Sequence, residues 1–345
     1  MPALLALADD LTGALEVGAK FAARGIPSLV TTSSRSHSHH PVEVIDLESR
    51  HLSQEAAAAA VSAVADTRAR IVYLKTDSTL RGNIAAELRA LARAWPESTI
   101  AYVPAYPALG RTVKDGRLYV YGVPVHRTAF AADPLDPVTG SSIRHLVREV
   151  SRCTVHDGET DADVARATAS ALADPSCRII AGPASVATEI AAQFAPPGMP
   201  APTDWPRIRK CLIVNGSLHE VSVRQIAFAQ ADGCASPSED AAWRILHLPI
   251  PAGMHPLEIA AATGRLVRQC LSETDVDAVM VFGGDTAFGI LKALGSPPLE
   301  PVGEVITGVP VSRVPDRNLY FITKAGGFGD ESLIRAARQL LDGND

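Results

Sequence analysis

The most constraining feature of this sequence is a unit that recurs along it. A short, unbroken apolar run ends in a polar or glycine-rich tip and opens directly into a helical pattern. Leu4-Leu5-Ala6-Leu7-Ala8 runs into Asp9-Asp10-Leu11-Thr12, and Ile71-Val72-Tyr73-Leu74 into a nine-residue tip that starts at Lys75. Ala278-Val279-Met280-Val281-Phe282 runs into Gly283-Gly284-Asp285-Thr286, and residues 319–323 into Lys324-Ala325-Gly326-Gly327. Apolar runs of this length without alternation read as strands buried on both faces. Strands of that kind alternating with helices predict an α/β fold with mainly parallel sheets. With 345 residues the chain has the length of about two such domains. The proline-rich run Ala195-Pro196-Pro197-Gly198-Met199-Pro200-Ala201-Pro202 is the expected linker. That places domains at 1–200 and 209–345, with a ligand cleft between them.

Ligands in open α/β sheets bind at the carboxyl ends of the strands, so the tips are where chemistry is expected. The tip Lys75-Thr76-Asp77-Ser78-Thr79-Leu80-Arg81-Gly82-Asn83 carries two cations, a carboxylate, three hydroxyls, an amide and a glycine. Such a set suits an anionic, polyhydroxylated small molecule; the plain alternative is a solvated loop in which Ser78 or Thr79 caps the next helix. Asp9 and Asp10 stand before a helix for which Thr12 is the expected N-cap. One of the two can serve the helix N-terminus, where negative charge is favoured by roughly 0.3–1 kcal/mol. The other is free to bind substrate hydroxyls, act as a base or reach Mg2+. Arg50 lies just past a third apolar run, residues 42–47. Three tips with charged ends on one sheet edge make a pocket.

Other stretches carry weaker signals. His37, His39 and His40 fall within four positions, but without a Cys or carboxylate beside them they read as a surface loop rather than a zinc site. Residues 104–150 form a long irregular passage, with a strand expected at 118–125 and a helix from Ser142 to about Val150; such length suggests a lid or a partner surface. In the second half, Gly216-Ser217, Gly283-Gly284 and Gly326-Gly327 follow apolar runs and precede helices. Glycine lets backbone N–H groups approach phosphate oxygens, and a helix N-terminus behind them favours negative charge. No G-x-x-x-x-G-K-[ST] is present, and no G-x-G-x-x-G follows the first strand.

Composition excludes several classes. The formal net charge is -6 with no Lys/Arg-rich run, which argues against a nucleic-acid partner. No apolar stretch has the length of a membrane span, and Met1 leads straight into an apolar run, so a cytoplasmic protein is expected. The five cysteines are scattered and read as reduced thiols.

Ala8-Asp9-Asp10-Leu11-Thr12-Gly13-Ala14, Glu48-Ser49-Arg50, the tip 75–83, Gly283-Gly284-Asp285-Thr286 and Thr323-Lys324-Ala325-Gly326-Gly327-Phe328-Gly329-Asp330 together resemble the four-carbon acid sugar kinase family. The resemblance runs in order through nearly the whole chain. It implies an acid-sugar-binding domain at 1–200 and a nucleotide-binding domain at 209–345. The implied activity is ATP-dependent phosphorylation of the terminal hydroxyl of a tetronate such as D-threonate, D-erythronate or a 3-oxo-tetronate, with Mg2+ on the phosphates. Substrate contacts are implied at Asp10, Arg50, Lys75, Asp77, Ser78, Thr79 and Arg81, with Asp10 or Asp77 as the catalytic carboxylate. Nucleotide contacts are implied at Ser217, Gly283, Gly284, Asp285, Thr286, Gly326 and Gly327. Asn215-Gly216-Ser217-Leu218-His219 is a loose match to the family's serine turn, and the chain is shorter than the family pattern. Competing readings are a non-catalytic nucleotide- and sugar-acid-binding regulator and a kinase for another small hydroxy acid. The sequence chooses neither the acid, nor the metal ligands, nor between monomer and homodimer.

Overall fold

The computed structural model describes residues 2–32, 40–65, 69–133, 135–195, 205–248 and 254–343. The proline-rich run 196–202 and His37 and His39 lie outside the described residues. The chain divides into two compact units, Met1–Pro200 and Ala201–Asp345.

In the first unit the strands are β1 (Leu4–Ala8), β2 (Ser28–Thr32), β3 (Val42–Asp46), β4 (Ile71–Lys75), β5 (Thr99–Tyr102), β6 (Arg111–Lys114), β7 (Arg117–Val120), β8 (Val123–Pro124), β9 (Cys153–Val155) and β10 (Cys177–Gly182). The helices are α1 (Leu11–Ala22), α2 (Gln54–Val64), α3 (Ile84–Ala94), a single turn α4 (Ile143–Leu146), α5 (Asp161–Ala173) and α6 (Ala184–Phe194). Seven strands make one parallel sheet in the order β2-β3-β1-β4-β10-β5-β9. All five residues of β1 are buried. Consecutive strand residues face opposite sides, so both faces must be covered. The groups α1-α6-α5 and α2-α3 supply that cover. The chain reverses across the sheet at β1, whose neighbours are β3 and β4. That reversal is the point at which an open α/β sheet leaves a crevice at its strand ends.

Asp10, not Thr12, is the N-cap of α1: its Oδ1 accepts from the Gly13 N–H at 2.9 Å, and Thr12 Oγ1 donates to its Oδ2 at 2.7 Å. A carboxylate is the better partner for the positive helix end, so the hydroxyl serves the carboxylate instead. Neither Ser78 nor Thr79 caps α3, whose N-cap is Asn83. The strand expected at 118–125 is broken at Gly122 into β7 and β8, which join β6 in a three-stranded antiparallel meander with Gly116 and Gly122 at positive φ in its turns. The helix expected to reach Val150 stops at Leu146.

The second unit contains β11 (Cys211–Asn215), α7 (Glu220–Ala231), β12 (Trp243–Leu246), α8 (Pro256–Glu273), β13 (Ala278–Phe282), α9 (Gly284–Ala293), β14 (Glu300–Glu304), β15 (Pro310–Val314), β16 (Leu319–Lys324) and α10 (Leu333–Leu341). Its sheet runs β12-β11-β13-β16-β15-β14, parallel up to β16 and finished by an antiparallel hairpin. The hairpin carries no clear sequence signal because Pro301 and Pro310 interrupt both strands; proline is tolerated where an edge strand or a strand start needs no N–H donor. Trp243, Phe282, Met280 and Ile213 pack under Ala229 of α7 and Leu333, Ile334 and Ala337 of α10. On α8 and α9, Gly264 and Gly289 bring the two backbones together: a Cβ on Gly264 would stand 2.2 Å from the Gly289 carbonyl oxygen.

Candidate active site

The first constellation lies at the carboxyl ends of β3, β1 and β4, which are adjacent in the sheet. Ala8 pairs with Asp46 on one side and Lys75 on the other, so Asp9 and Asp10, Ser49 and Arg50, and the Lys75 tip leave the sheet side by side. Asn83 fixes the middle segment, because its Nδ2 donates to the carbonyls of Ser49 and Leu52, each at 2.9 Å. Arg50 holds the constellation together. Its Nε donates to Asp9 at 2.8 Å, its Nη1 to Asp10 at 2.8 Å, and its Nη2 lies 3.8 Å from Asp77. Arg81 pairs with Asp77 through Nη2 at 2.8 Å and with Asp133 through Nη1 at 3.1 Å, and its guanidinium lies over the Phe130 ring. The Thr79 hydroxyl and N–H both donate to Asp77 Oδ2.

These pairings separate the carboxyl groups. Burial pushes the Asp77 carboxyl up, but Arg81 and Arg50 outweigh it and hold it well below the usual range. Asp10 is likewise raised by burial and lowered further by Arg50, Lys75 and its cap bonds. Asp9 is raised, since burial and the charge of Asp10 exceed the help from Arg50, and its Oδ1 has no hydrogen-bond partner. Behind it, the fully buried Glu87 accepts from Ser49 Oγ, and burial followed by the Asp9 charge pushes it up to about 7.

Lys75 differs from both arginines. It is 5% exposed and, among the described residues, makes no hydrogen bond or ion pair. Its ammonium runs against Gly13: a Cβ there would stand 2.7 Å from Lys75 Nζ. Ser78 is half-buried on the same loop and, among the described residues, also makes no hydrogen bond.

The second constellation lies at the carboxyl ends of β11, β13 and β16, again adjacent strands. The Gly216 N–H donates to the Phe282 carbonyl and the Gly283 N–H to the Lys324 carbonyl, both at 3.0 Å, which ties the three tips together. Gly283 has φ 109° and caps α9 without a side-chain bond. A Cβ on Gly216 would stand 1.9 Å from Thr286 Oγ1, and one on Gly326 would stand 2.8 Å from Ser217 Oγ. Ser217, Gly283, Thr286, Gly326 and Gly327 are thus brought together, with Gly284 and Asp285 opening α9. Thr286 is buried against Gly216 and seats that turn. The three tips present backbone rather than side-chain bulk around a helix N-terminus, the donor set that suits phosphate.

Several residues here carry no sequence signal of their own. Asp133 comes from the irregular passage, 52 residues beyond Arg81. Lys324 and His219 flank the Gly326 turn: Lys324 Nζ donates to the Gly326 carbonyl at 2.8 Å, and a Cβ on Gly327 would stand 3.2 Å from His219 Nε2. Among the described residues no group of three or more His, Cys, Asp or Glu side chains could hold a metal ion. No helix among them is long and apolar enough to cross a membrane.

Comparison with known proteins decides the family. A sugar-binding N-terminal domain model matches residues 4–182, and a nucleotide-binding C-terminal domain model matches residues 234–334. The D-threonate kinase of Bordetella bronchiseptica is 31% identical over 393 aligned positions, covering 97% of each chain. This chain belongs to the four-carbon acid sugar kinase family. It is a phosphotransferase, and its second unit contains the nucleotide-binding domain. The D-threonate kinase of Salmonella typhimurium is 27% identical over 98% of each chain; a 3-oxo-tetronate kinase from the same organism is 25% identical over 97% of this chain and 98% of its own. Among solved structures, a putative tRNA synthase from Salmonella typhimurium shares the fold, with TM-score 0.79 and 19% identity over 98% of this chain and 99% of its own. A domain of unknown function from Bordetella bronchiseptica, 28% identical with TM-score 0.52 over 99% of this chain and 98% of its own, is a domain-swapped dimer with bound citrate. The 393 aligned positions exceed the 345 residues of this chain, so the relative carries insertions that this member of the kinase family lacks.

Proposed function

We propose that this kinase transfers the γ-phosphoryl group of ATP to the terminal hydroxyl of a four-carbon sugar acid, a tetronate of the threonate, erythronate or 3-oxo-tetronate type. The acid binds at the charged tips of the first unit and ATP at the glycine tips of the second. The observation that carries this reading is Lys75. Arg50 and Arg81 are consumed by Asp9, Asp10, Asp77 and Asp133, whereas Lys75 is a buried cation that makes no hydrogen bond or ion pair among the described residues and acts on Asp9 and Asp10 only at longer range. Its ammonium takes the substrate carboxylate, with the Ser78 hydroxyl beside it, while Arg50 and Arg81 keep the surrounding carboxylates in place.

Phosphoryl transfer demands positioning and charge stabilisation more than a strong base, because its transition state is loose. Low-pKa carboxylates suit that demand: they accept hydrogen bonds from hydroxyl groups without competing for a full proton. Asp10 is the more exposed of the two, its side chain 17% exposed against 8% for Asp77, and among the described residues it carries three hydrogen bonds, from Gly13, Thr12 and Arg50, where Asp77 carries five from Thr79 and Arg81. Asp10 therefore orients the acceptor hydroxyl, and Asp77 fixes the tip. On the second unit the N–H groups around Gly283, Gly284, Asp285, Gly326 and Gly327 and the Ser217 turn receive the phosphates. Mg2+ would travel with the nucleotide and offset the charge of its phosphates. A coupled ADP-release screen over C3 to C6 aldonates and oxo-acids tests the reading. Turnover that peaks on a tetronate is expected; ATP and acid binding with no turnover on any acid would favour the regulator.

A further inference from the structure

Lys324, the last residue of β16, is completely buried, yet among the described residues no carboxylate pairs with its ammonium. Its Nζ donates to Ser222 Oγ at 2.9 Å, Gln225 Oε1 at 2.7 Å and the Gly326 carbonyl at 2.8 Å, and it lies 4.8 Å from the centre of the Phe282 ring. All three protons are used, and every acceptor is neutral. A buried charge without a counter-charge is costly, and folds ordinarily pair it or replace it. The acceptors show what it serves. Lys324 and Ser222 both donate to the Gly326 carbonyl, and Gln225 Nε2 donates to the carbonyls of Phe328 at 3.0 Å and Asp330 at 2.8 Å. The carbonyl and N–H of one planar trans peptide point in opposite directions. Drawing the Gly326 oxygen inward to Lys324 therefore turns the Gly327 N–H away from Lys324.

Resting on the nucleotide reading above, we propose that Lys324 is the positioning residue and resident counter-charge of the phosphate site. Its ammonium sets the Gly326–Gly327 peptide for donation and supplies buried positive potential that only a bound nucleotide phosphate neutralises. Burial alone pushes the ammonium down to about 7. Other titratable groups on the flanking elements are His219, Glu220 and Arg224 on the α7 side, Asp285 on α9 and Asp330 past the glycine turn. Glu220 pairs with Arg224, and Asp330 accepts from Ser332. His219 is lowered by burial and then by the Lys324 charge, and its Nδ1 accepts from Val221 N–H. A phosphate dianion over the turn raises the affinity of Lys324 for its proton. ATP binding at pH 8 then takes up most of a proton, and binding at pH 6 takes up little at this residue.

The test is calorimetric titration of MgATP into the full chain in HEPES and in Tris at pH 8, with Lys324→Met, Lys324→Arg and His219→Gln alongside. Expected are proton uptake in the wild type and in His219→Gln, loss of that uptake in Lys324→Met, and ATP affinity at least tenfold weaker in Lys324→Met. Lys324→Arg keeps the charge and recovers part of the affinity. Lys324→Met should melt no lower than the wild type, which a merely structural lysine would not allow. A wild type that binds ATP without proton uptake overturns the inference, whatever the variants do. So does unchanged uptake in Lys324→Met. A wild type that does not bind ATP overturns the nucleotide reading itself.

Discussion

At the tips of β1, β3 and β4 both guanidinium groups have carboxylates against them, whereas at the tips of β11, β13 and β16 the buried Lys324 meets only neutral acceptors. The two sites receive anions by different means. In the first, opposite charges build a rigid frame in which, among the described residues, Lys75 is the cation outside any ion pair and left to meet a ligand. In the second, glycines clear the backbone and one ammonium waits behind it. Charges in the first site therefore carry fold stability as well as binding, and those in the second carry binding almost alone.

The sharpest way to break this contrast is to remove Arg50. Its loss leaves Asp9 and Asp10 buried without their partner, so Arg50→Ala should lower stability by about 3–5 kcal/mol in chemical denaturation. A variant as stable as the wild type would show that the frame does not depend on it. Next in size, Gly326→Val places a side chain against Ser217 Oγ and His219 in the glycine site. ATP binding should fall below detection in calorimetry, while the melting curve and sugar-acid binding stay close to wild type. Normal ATP affinity in that variant would remove the phosphate cradle.

Lys75→Met follows, with a substrate KM raised about ten- to a hundredfold, because one charged hydrogen bond of roughly 1.5–3 kcal/mol is lost. Its melting temperature should fall far less than that of Arg50→Ala, since Lys75 makes no ion pair and acts on Asp9 and Asp10 only at longer range. A smaller effect separates the sites by pH. Folding lowers the Lys324 pKa from 10.5 to about 7, so its burial costs stability in full below about pH 7, and the cost fades as pH rises toward 10.5. The stability of the wild type relative to Lys324→Met should rise between pH 6.5 and pH 9; a flat difference would mean that the ammonium is well solvated or paired. Smallest, Ser78→Ala should lower kcat/KM by a few fold, about 0.5–1.5 kcal/mol, with no change in melting.

Much of this was legible before any coordinates. The unbroken apolar runs give their own strand limits, and β1 (Leu4–Ala8) and β13 (Ala278–Phe282) begin and end where the pattern says. The parallel α/β class follows from the same runs. The β14–β15 hairpin was illegible because its prolines mimic a loop and its strands pair with neighbours that no local pattern names. At the site, residue types on a tip are readable but their partners are not. Nothing local says that Arg50 would be consumed by Asp9 and Asp10 while Lys75 stays unpaired, or that Asp133 would return from the irregular passage to meet Arg81. Lys324 was visible only as a cation before a glycine pair; its burial and its neutral acceptors are products of the tertiary fold.

The most direct test of the division between a charge-framed acid site and a glycine-built nucleotide site is a reciprocal calorimetric titration. ATP and the sugar acid with the highest turnover in the screen are titrated in turn into Lys75→Met and Lys324→Met. Lys75→Met should lose the acid and keep ATP, and Lys324→Met should lose ATP and keep the acid. Exchanged losses, or equal weakening of both ligands in both variants, would contradict the account.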